Sequence, residues 1–235
     1  MLSYLKGRLV IKTLVIVAHP KIDNSTTEQF FYQGAQLVQA NWHHLDTLDR
    51  INIEHEQQLL LQAQRIIFQF PLYWYQAPAS LSQWQTQVLS NQFLNNSLRD
   101  KELGIVVTTG LPAKAFQAGG QVGYSLGQLM TPFQAVARQA QMQFLPIFPV
   151  YQFYYLSETE QLQLFMDYQR YLSQDFPDSL KNRSQWYLHY LQEQPKRKNA
   201  TQDLIIQTFT QMTDELNSAQ ATLDLIKQDE DDTFE

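Results

Sequence analysis

The sequence predicts an α/β protein, a doubly wound parallel sheet of five strands in the order 2-1-3-4-5 followed by a helical extension. Three observations lead there. Short, nearly continuous apolar runs recur along the chain, as strands buried on both faces require. Amphipathic stretches of helix length separate those runs. The resulting strand–helix alternation leaves few right-handed arrangements, of which 2-1-3-4-5 is the economical one.

The runs are Leu14 to Ala18, Arg65 to Phe70, Leu103 to Thr109 and Phe144 to Val150, with a weaker strand at Asn41 to Leu45. The segment Leu9 to Val17 contains Lys12 and precedes no small-residue cleavage pattern, so it reads as strand and not as a signal peptide. The first helix starts near Ser25 and turns Phe30, Phe31, Leu37 and Val38 toward the sheet. The second begins beside Pro78 and runs through Leu81, Trp84 and Val88. A third covers roughly Ser125 to Gln141, with Pro132 interrupting its first turn. Ser157-Glu158-Thr159-Glu160 has the form of a capping sequence and opens a helix to about Leu172. Another helix, from about Ser179 to Leu191, follows Phe176-Pro177.

Pro195-Lys196-Arg197-Lys198-Asn199 reads as a polar hinge before a last helix from about Thr201 to Gln228. That helix places Ile205, Phe209, Met212, Leu216, Ala219, Leu223 and Ile226 at alternating spacings of four and three, a heptad seam. Such a stripe suits packing on the chain's own domain or against a partner such as a second copy. The organisation expected is a doubly wound α/β domain over residues 1–175, a helical extension over 176–228 packed on that domain or on a dimer partner, and an acidic disordered tail over 229–235.

Composition narrows the function classes. With 44% hydrophobic and 17% charged residues the chain suits a globular protein. A formal net charge of -6 without clustered Lys and Arg argues against general nucleic-acid binding, which needs phosphate neutralisation. The absence of cysteine excludes disulfides, cysteine nucleophiles, iron–sulfur clusters and thiolate zinc sites. No apolar run is long enough to span a bilayer, no membrane insertion is expected, and cytoplasm is the default location.

Candidate chemistry lies in three loops that follow the carboxyl ends of the first, third and fourth strands, where open α/β sheets bind ligands. The first is His19-Pro20-Lys21-Ile22-Asp23-Asn24-Ser25-Thr26-Thr27. Hydroxyls and free amides at a helix N-terminus favour a phosphate. Ser25-Thr26-Thr27-Glu28 is also a plain capping box, which accounts for the same donors without a ligand. The second is Phe70-Pro71-Leu72-Tyr73-Trp74-Tyr75-Gln76-Ala77-Pro78. It offers a rigid aromatic wall for a planar ring, or else an aromatic plug or subunit contact. The third, Val107-Thr108-Thr109-Gly110-Leu111-Pro112, offers close backbone amides and small hydroxyls, as many strand exits do. Their convergence on one sheet edge is what singles them out.

Elsewhere, His43 and His44 are neighbours in a strand, so they face opposite sides and cannot chelate together. They read as structural or surface residues, as do His55 and His189. Glu54 and Glu56 read as an exposed acidic pair before a helix. No metal site is expected.

On these loops the chain resembles the NAD(P)H:quinone oxidoreductases of flavodoxin-like fold, the group that contains DT-diaphorase and the bacterial potassium-efflux ancillary and general-stress oxidoreductases. The resemblance runs from Leu14 to about Tyr155 and is most specific in "IIFQFPLYWYQAPASLSQWQTQVL", from Ile66 to Leu89. It is looser in "VAHPKIDNSTT", "TTG" and "AGGQVGYSLGQLMTPFQAVARQAQM".

The resemblance implies non-covalent FMN or FAD, NADPH or NADH as electron donor, a homodimer, and two-electron reduction of a small quinone-like acceptor in a ping-pong cycle. By position it implies that His19, Ser25, Thr26 and Thr27 meet the flavin phosphates and that Pro71, Leu72, Tyr73, Trp74 and Tyr75 line the ring and ribityl chain. Thr108, Thr109 and Gly110 then face the polar edge of the ring. The helices after Pro78 and near Gly127 are implied at the dimer contact.

The chain also departs from the family. Leu111 stands where a second glycine is usual, Ser82 where a lysine is common, and little more than Phe93 remains of a glycine–aromatic–tyrosine segment. Phe116 and Val122 occupy the places of a tyrosine–histidine pair, and neither donates a hydrogen bond. Loss of such donors costs about 10²–10³ in rate where they act on transition-state charge. The alternative is therefore a regulatory or binding subunit that engages a partner through its C-terminal helix.

Overall fold

The computed structural model describes residues 11–193 and 200–231. The chain packs as two units that divide between Ser173 and Gln174. The expected hinge at Pro195 to Asn199 lies outside the described residues.

In the first unit, β1 (Thr13–Val17), β2 (Asn41–His44), β3 (Arg65–Pro71) and β4 (Glu102–Thr109) form the sheet with β5 (Gln143–Phe144) and β6 (Phe148–Tyr151). All pairings are parallel, in the order β2-β1-β3-β4-β5, and β6 also pairs with β4. The fifth strand is thus in two pieces, because Pro146 has no N–H for the ladder and Leu145-Pro146-Ile147 bridges them. β1 is buried along its whole length, as is β3. Each large aliphatic side chain removed from water there contributes about 1.5–3 kcal/mol.

The helices are α1 (Thr26–Leu37), α2 (Ile53–Gln62), α3 (Ala79–Val88), α4 (Asn91–Ser97), α5 (Leu126–Leu129), α6 (Thr131–Gln139) and α7 (Glu158–Ser173). α3 buries Leu81, Trp84 and Val88, one face of a 3.6-residue repeat. α1 buries Phe31, Gly34 and Ala35, whereas Leu37 is 65% exposed. Leu37 lies well round the helix from that face, which corrects its expected inward orientation. Phe30 meets Phe165 of α7 edge-on at 5.1 Å, so it serves the α1–α7 contact and not the sheet. The third helix is two, α5 and α6, with Met130 between them and Pro132 in the first turn of α6, where its missing N–H costs nothing. Ser157 and Glu160 form a reciprocal cap at α7.

Two buried polar arrangements escaped the sequence reading. Arg65 is fully buried and donates to Glu102 Oε2 at 2.6 Å and to the Tyr171 carbonyl at 2.6 Å. Glu56, far from being exposed beside Glu54, is buried and accepts from Trp84 Nε1 and from His43 Nε2, each at 2.8 Å. Its position on α2 faces the inner side of α3, so the carboxylate satisfies an indole N–H that the core cannot hydrate. Gly104 in β4 lets α7 lie close to the sheet. A methyl there overlaps Tyr171 Oη and stands 2.6 Å from Ile67 Cδ1.

The second unit contains α8 (Leu180–Glu193) and α9 (Ala200–Asp231), which pack on one another. Ser179 caps α8 by accepting from Asn182 N, and Trp186 stacks on Tyr190 at 5.2 Å. α9 runs through Asp231, so Asp229, Glu230 and Asp231 are helical where the sequence suggested the start of a tail, and residues 232–235 lie outside the description. At 14 and 32 residues, α8 and α9 are about 21 and 48 Å long. Ile205, Met212, Leu223 and Ile226 of the seam are exposed. Among the described residues no helix is long and apolar enough to cross a membrane.

Candidate functional site

Parallel pairing brings the exits of β1, β3 and β4 to one sheet edge. The ladder continues into the loops: Ala18 N donates to Gln69 O at 3.0 Å, and Leu72 N to Thr108 O at 2.8 Å. The three candidate loops are therefore neighbours in the order first, third, fourth strand.

The β1 exit is tied down from below. His19 N donates to Asp46 Oδ2 at 2.8 Å, and His44 Nε2 bonds the His19 carbonyl at 3.0 Å. Burial, with His44 beside it, holds the His19 imidazole below the usual histidine range. Its Nδ1 accepts from Lys21 N at 3.2 Å, which leaves the ring proton on Nε2. Ser25 N is engaged by Ile22 O, and Ser25 Oγ accepts from Glu28 N at 3.2 Å. The expected capping box is only half made, because the Glu28 side chain turns inward instead of returning to Ser25. Among the described residues no hydrogen bond occupies the amides of Thr26 and Thr27, the first two of α1. Thr27 is buried and Thr26 exposed. Free amides with the positive end of the helix dipole behind them suit an anion.

Glu28 explains the missing half of the box. Its Oε2 accepts from Gln69 Nε2 at 2.6 Å, and Gln69 Oε1 accepts from Tyr168 Oη at 2.8 Å. Burial pushes the Glu28 carboxyl up to about 7, opposed by the Gln69 bond. Sequence reasoning missed this chain. The signal was Gln69 itself, a polar side chain inside the apolar run Ile66 to Phe70 that must find partners when buried.

The β3 exit is a tight turn. Tyr73 and Gln76 exchange both backbone hydrogen bonds, at 2.9 and 3.0 Å, around Trp74 and Tyr75. Trp74 and Tyr75 have φ of 49° and 66°, the type I′ geometry that glycine or asparagine adopts at little cost. Non-glycine residues there cost on the order of 1–3 kcal/mol each. The turn carries Trp74 outward, 91% exposed, with Tyr73 and Tyr75 half exposed on either side. Trp74 is no plug. Pro71 is buried within β3, and Leu72 packs against the core. Burial, then Glu28 and Asp46, push the Tyr73 phenol up.

At the β4 exit Thr108 and Thr109 are half-buried, and Thr109 Oγ1 accepts from Leu111 N at 3.2 Å. Gly110 is exposed, and a Cβ built on it meets nothing within 4 Å. Leu111 turns back onto the core. Phe116 is buried against Tyr151, ring centroids 6.0 Å apart, and Val122 packs on the same core. Neither projects a group toward the open edge. The β6 exit adds Tyr154 and Tyr155, exposed at the same edge and unmarked in the sequence reading. A planar ring with a phosphorylated tail fits what is present: open amides at α1, an outward aromatic turn beside them, and free space over Gly110.

Comparison with known proteins agrees with this architecture. Residues 11–174 match the family described as flavodoxin-like fold. The chain is 36% identical over 159 residues to the uncharacterized NAD(P)H oxidoreductase YrkL of Bacillus subtilis, covering 64% of this chain and 91% of that one. Among solved structures, an NADPH-quinone reductase from P. pentosaceus superposes with a TM-score of 0.67 at 44% identity, covering 70% of this chain and 99% of that one. General stress protein 14 from Treponema denticola, solved in complex with FMN, has a TM-score of 0.61 at 27% identity, with 68% and 97% covered. The chain therefore belongs to the flavodoxin-like-fold family of NAD(P)H oxidoreductases.

Proposed function

We propose that this protein is a flavin-dependent NAD(P)H oxidoreductase that reduces quinones or similar small acceptors by two electrons in a ping-pong cycle, acting as a homodimer. The observation that carries the reading is the pair of unengaged amides at Thr26 and Thr27, on the strand exit next to an outward aromatic turn. The FMN complex of the Treponema denticola relative and the NADPH-quinone reductase of P. pentosaceus support it.

In this reading Thr26 and Thr27, with Ser25 and His19 beneath them, hold the phosphate of FMN or FAD. Pro71, Leu72, Tyr73, Trp74 and Tyr75 hold the ring and ribityl chain, and Thr108, Thr109 and Gly110 admit its polar edge. A bound flavin supplies the hydride chemistry between reduced nicotinamide and acceptor. The protein orients both ligands and excludes water, with NADPH or NADH and then the acceptor using the same open face. Phe116 and Val122 donate nothing, and the Leu111 amide is taken by Thr109, so the Gly110 amide and the hydroxyls of Thr108 and Thr109 are the donors left to that edge. α3 and the segment around Gly127 face the second copy.

The test is direct. Purified protein, supplied with FMN or FAD, should quench flavin fluorescence and then oxidise NADH or NADPH with a panel of quinones. Protein that is colourless and ignores both flavins sinks the reading. Flavin binding without turnover on any acceptor favours the second reading, a regulatory or binding subunit, to which the exposed seam of α9 is suited.

A further inference from the structure

Glu28 is the residue in the first turn of α1 whose environment the proposed reaction leaves unexplained. It is 1% exposed, and its Oε1 is buried with no hydrogen-bond partner among the described residues. A carboxylate normally accepts several hydrogen bonds, so a buried oxygen with none marks a group held in the wrong place for an anion. The surroundings are rigid. Tyr168 reaches Gln69 because Gly34 gives it room: a Cβ on Gly34 stands 3.0 Å from Tyr168 Cδ1.

The groups bearing on Glu28 are all neutral or anionic. α7 contributes Tyr168, and β3 contributes the uncharged Gln69. The β3 exit contributes Tyr73, which also feels Asp46. Burial raises the proton affinity of Glu28 and the Gln69 bond opposes it, and among the described residues no cation offsets its charge. In the same first turn of α1, one and two residues before it, stand the free amides of Thr27 and Thr26.

We propose that Glu28 makes anion affinity at this helix terminus proton-dependent: as the carboxylic acid it admits a phosphate at Thr26 and Thr27, and as the carboxylate it opposes one. The proposal rests on the flavin reading of the same edge for its ligand, the phosphate of FMN. Two negative charges within one helical turn, the carboxylate of Glu28 buried, repel, so a bound dianion raises the proton affinity of Glu28. Each phosphate taken up by the ionised site draws one proton from solvent onto the carboxylate, and the proton leaves when the phosphate does. A flavin without a phosphate has no such linkage.

The experiment is a set of fluorescence-quenching titrations of FMN and riboflavin from about pH 7 to about pH 9, a range in which the FMN phosphate is already dianionic. In the wild type the dissociation constant for FMN should rise toward a limit of about tenfold per pH unit. It should be level in Glu28→Gln, and level for riboflavin in both proteins. Calorimetry of the wild type in two buffers of different ionisation enthalpy should show close to one proton taken up per FMN at about pH 8, a readout that stands if the variant does not fold. Level FMN affinity in the wild type, or a slope that survives in Glu28→Gln, overturns the proposal. If no flavin binds at the acid end, the flavin reading fails, and sulfate, a dianion throughout the range, takes its place in a thermal-shift titration. Stabilisation by sulfate that fades with rising pH in the wild type alone upholds the role of Glu28 without flavin. Absence of any sulfate effect overturns it.

Discussion

Glu28→Gln also makes a prediction about the protein without any ligand. Burial pushes the carboxyl up to about 7 in the folded chain from an ordinary value of 4.5. A folded-state value raised above the unfolded one means stability that is full below the unfolded value and lost as pH rises through the folded one. The whole difference corresponds to about 3 kcal/mol. Between about pH 5 and about pH 8 the wild type should lose about 2–3 kcal/mol of that through this one group. Glutamine keeps the shape and the contact to Gln69 and carries no charge, so Glu28→Gln should lose none of it. Urea denaturation of both proteins at the two pH values measures the gap between them. The gap should move by about 2–3 kcal/mol in favour of the variant as pH rises. A gap of the same size at both pH values refutes the burial argument for Glu28.

Four further outcomes are expected. Glu56→Ala should cost about 1–3 kcal/mol because it strands the Trp84 indole N–H in the core, whereas Glu54→Ala should stay within about 0.5 kcal/mol, both read by chemical denaturation. Gly104→Ala should destabilise by about 1–3 kcal/mol or prevent folding, since the methyl meets Tyr171 and Ile67, and the urea midpoint reports it. Gly110→Val should leave the melting temperature essentially unchanged while abolishing flavin quenching, because its side chain enters free space that the ring edge requires. Trp74→Ala should weaken FMN binding by roughly three- to tenfold through lost stacking, about 0.5–1.5 kcal/mol, without loss of stability, as titration and melting together will show.

Legibility of the fold followed the physics of burial. Strands at the centre of a parallel sheet are apolar on both faces, so β1, β3 and β4 announced themselves within a residue or so. β2, an edge strand of mixed character at Asn41 to His44, was fainter for the same reason. Spacing alone does not tell which side of α1 faces what: Leu37, expected inward, is exposed, and Phe30, expected on the sheet, meets α7. Pro146 splits the last strand through its missing donor, a local effect hidden inside an otherwise apolar run.

The candidate loops were readable because topology forces them together: once the strands are parallel and ordered, their carboxyl ends share an edge. What the residues do within those loops was not readable. Ser25-Thr26-Thr27-Glu28 spells a capping box, yet Glu28 goes to Gln69, and only the tertiary structure decides between those partners. Glu54 and Glu56 look alike in sequence, and a helix rotation of two residues puts one in water and the other beneath an indole. Chain chemistry by itself determined the α/β class, the strand order and which loops share one sheet edge, since these depend on hydropathy and connectivity. Tertiary structure alone decided which amides stay free, which carboxyls lose their water and which aromatic stands outward. Those depend on partners dozens of residues away, whose identity no local pattern records.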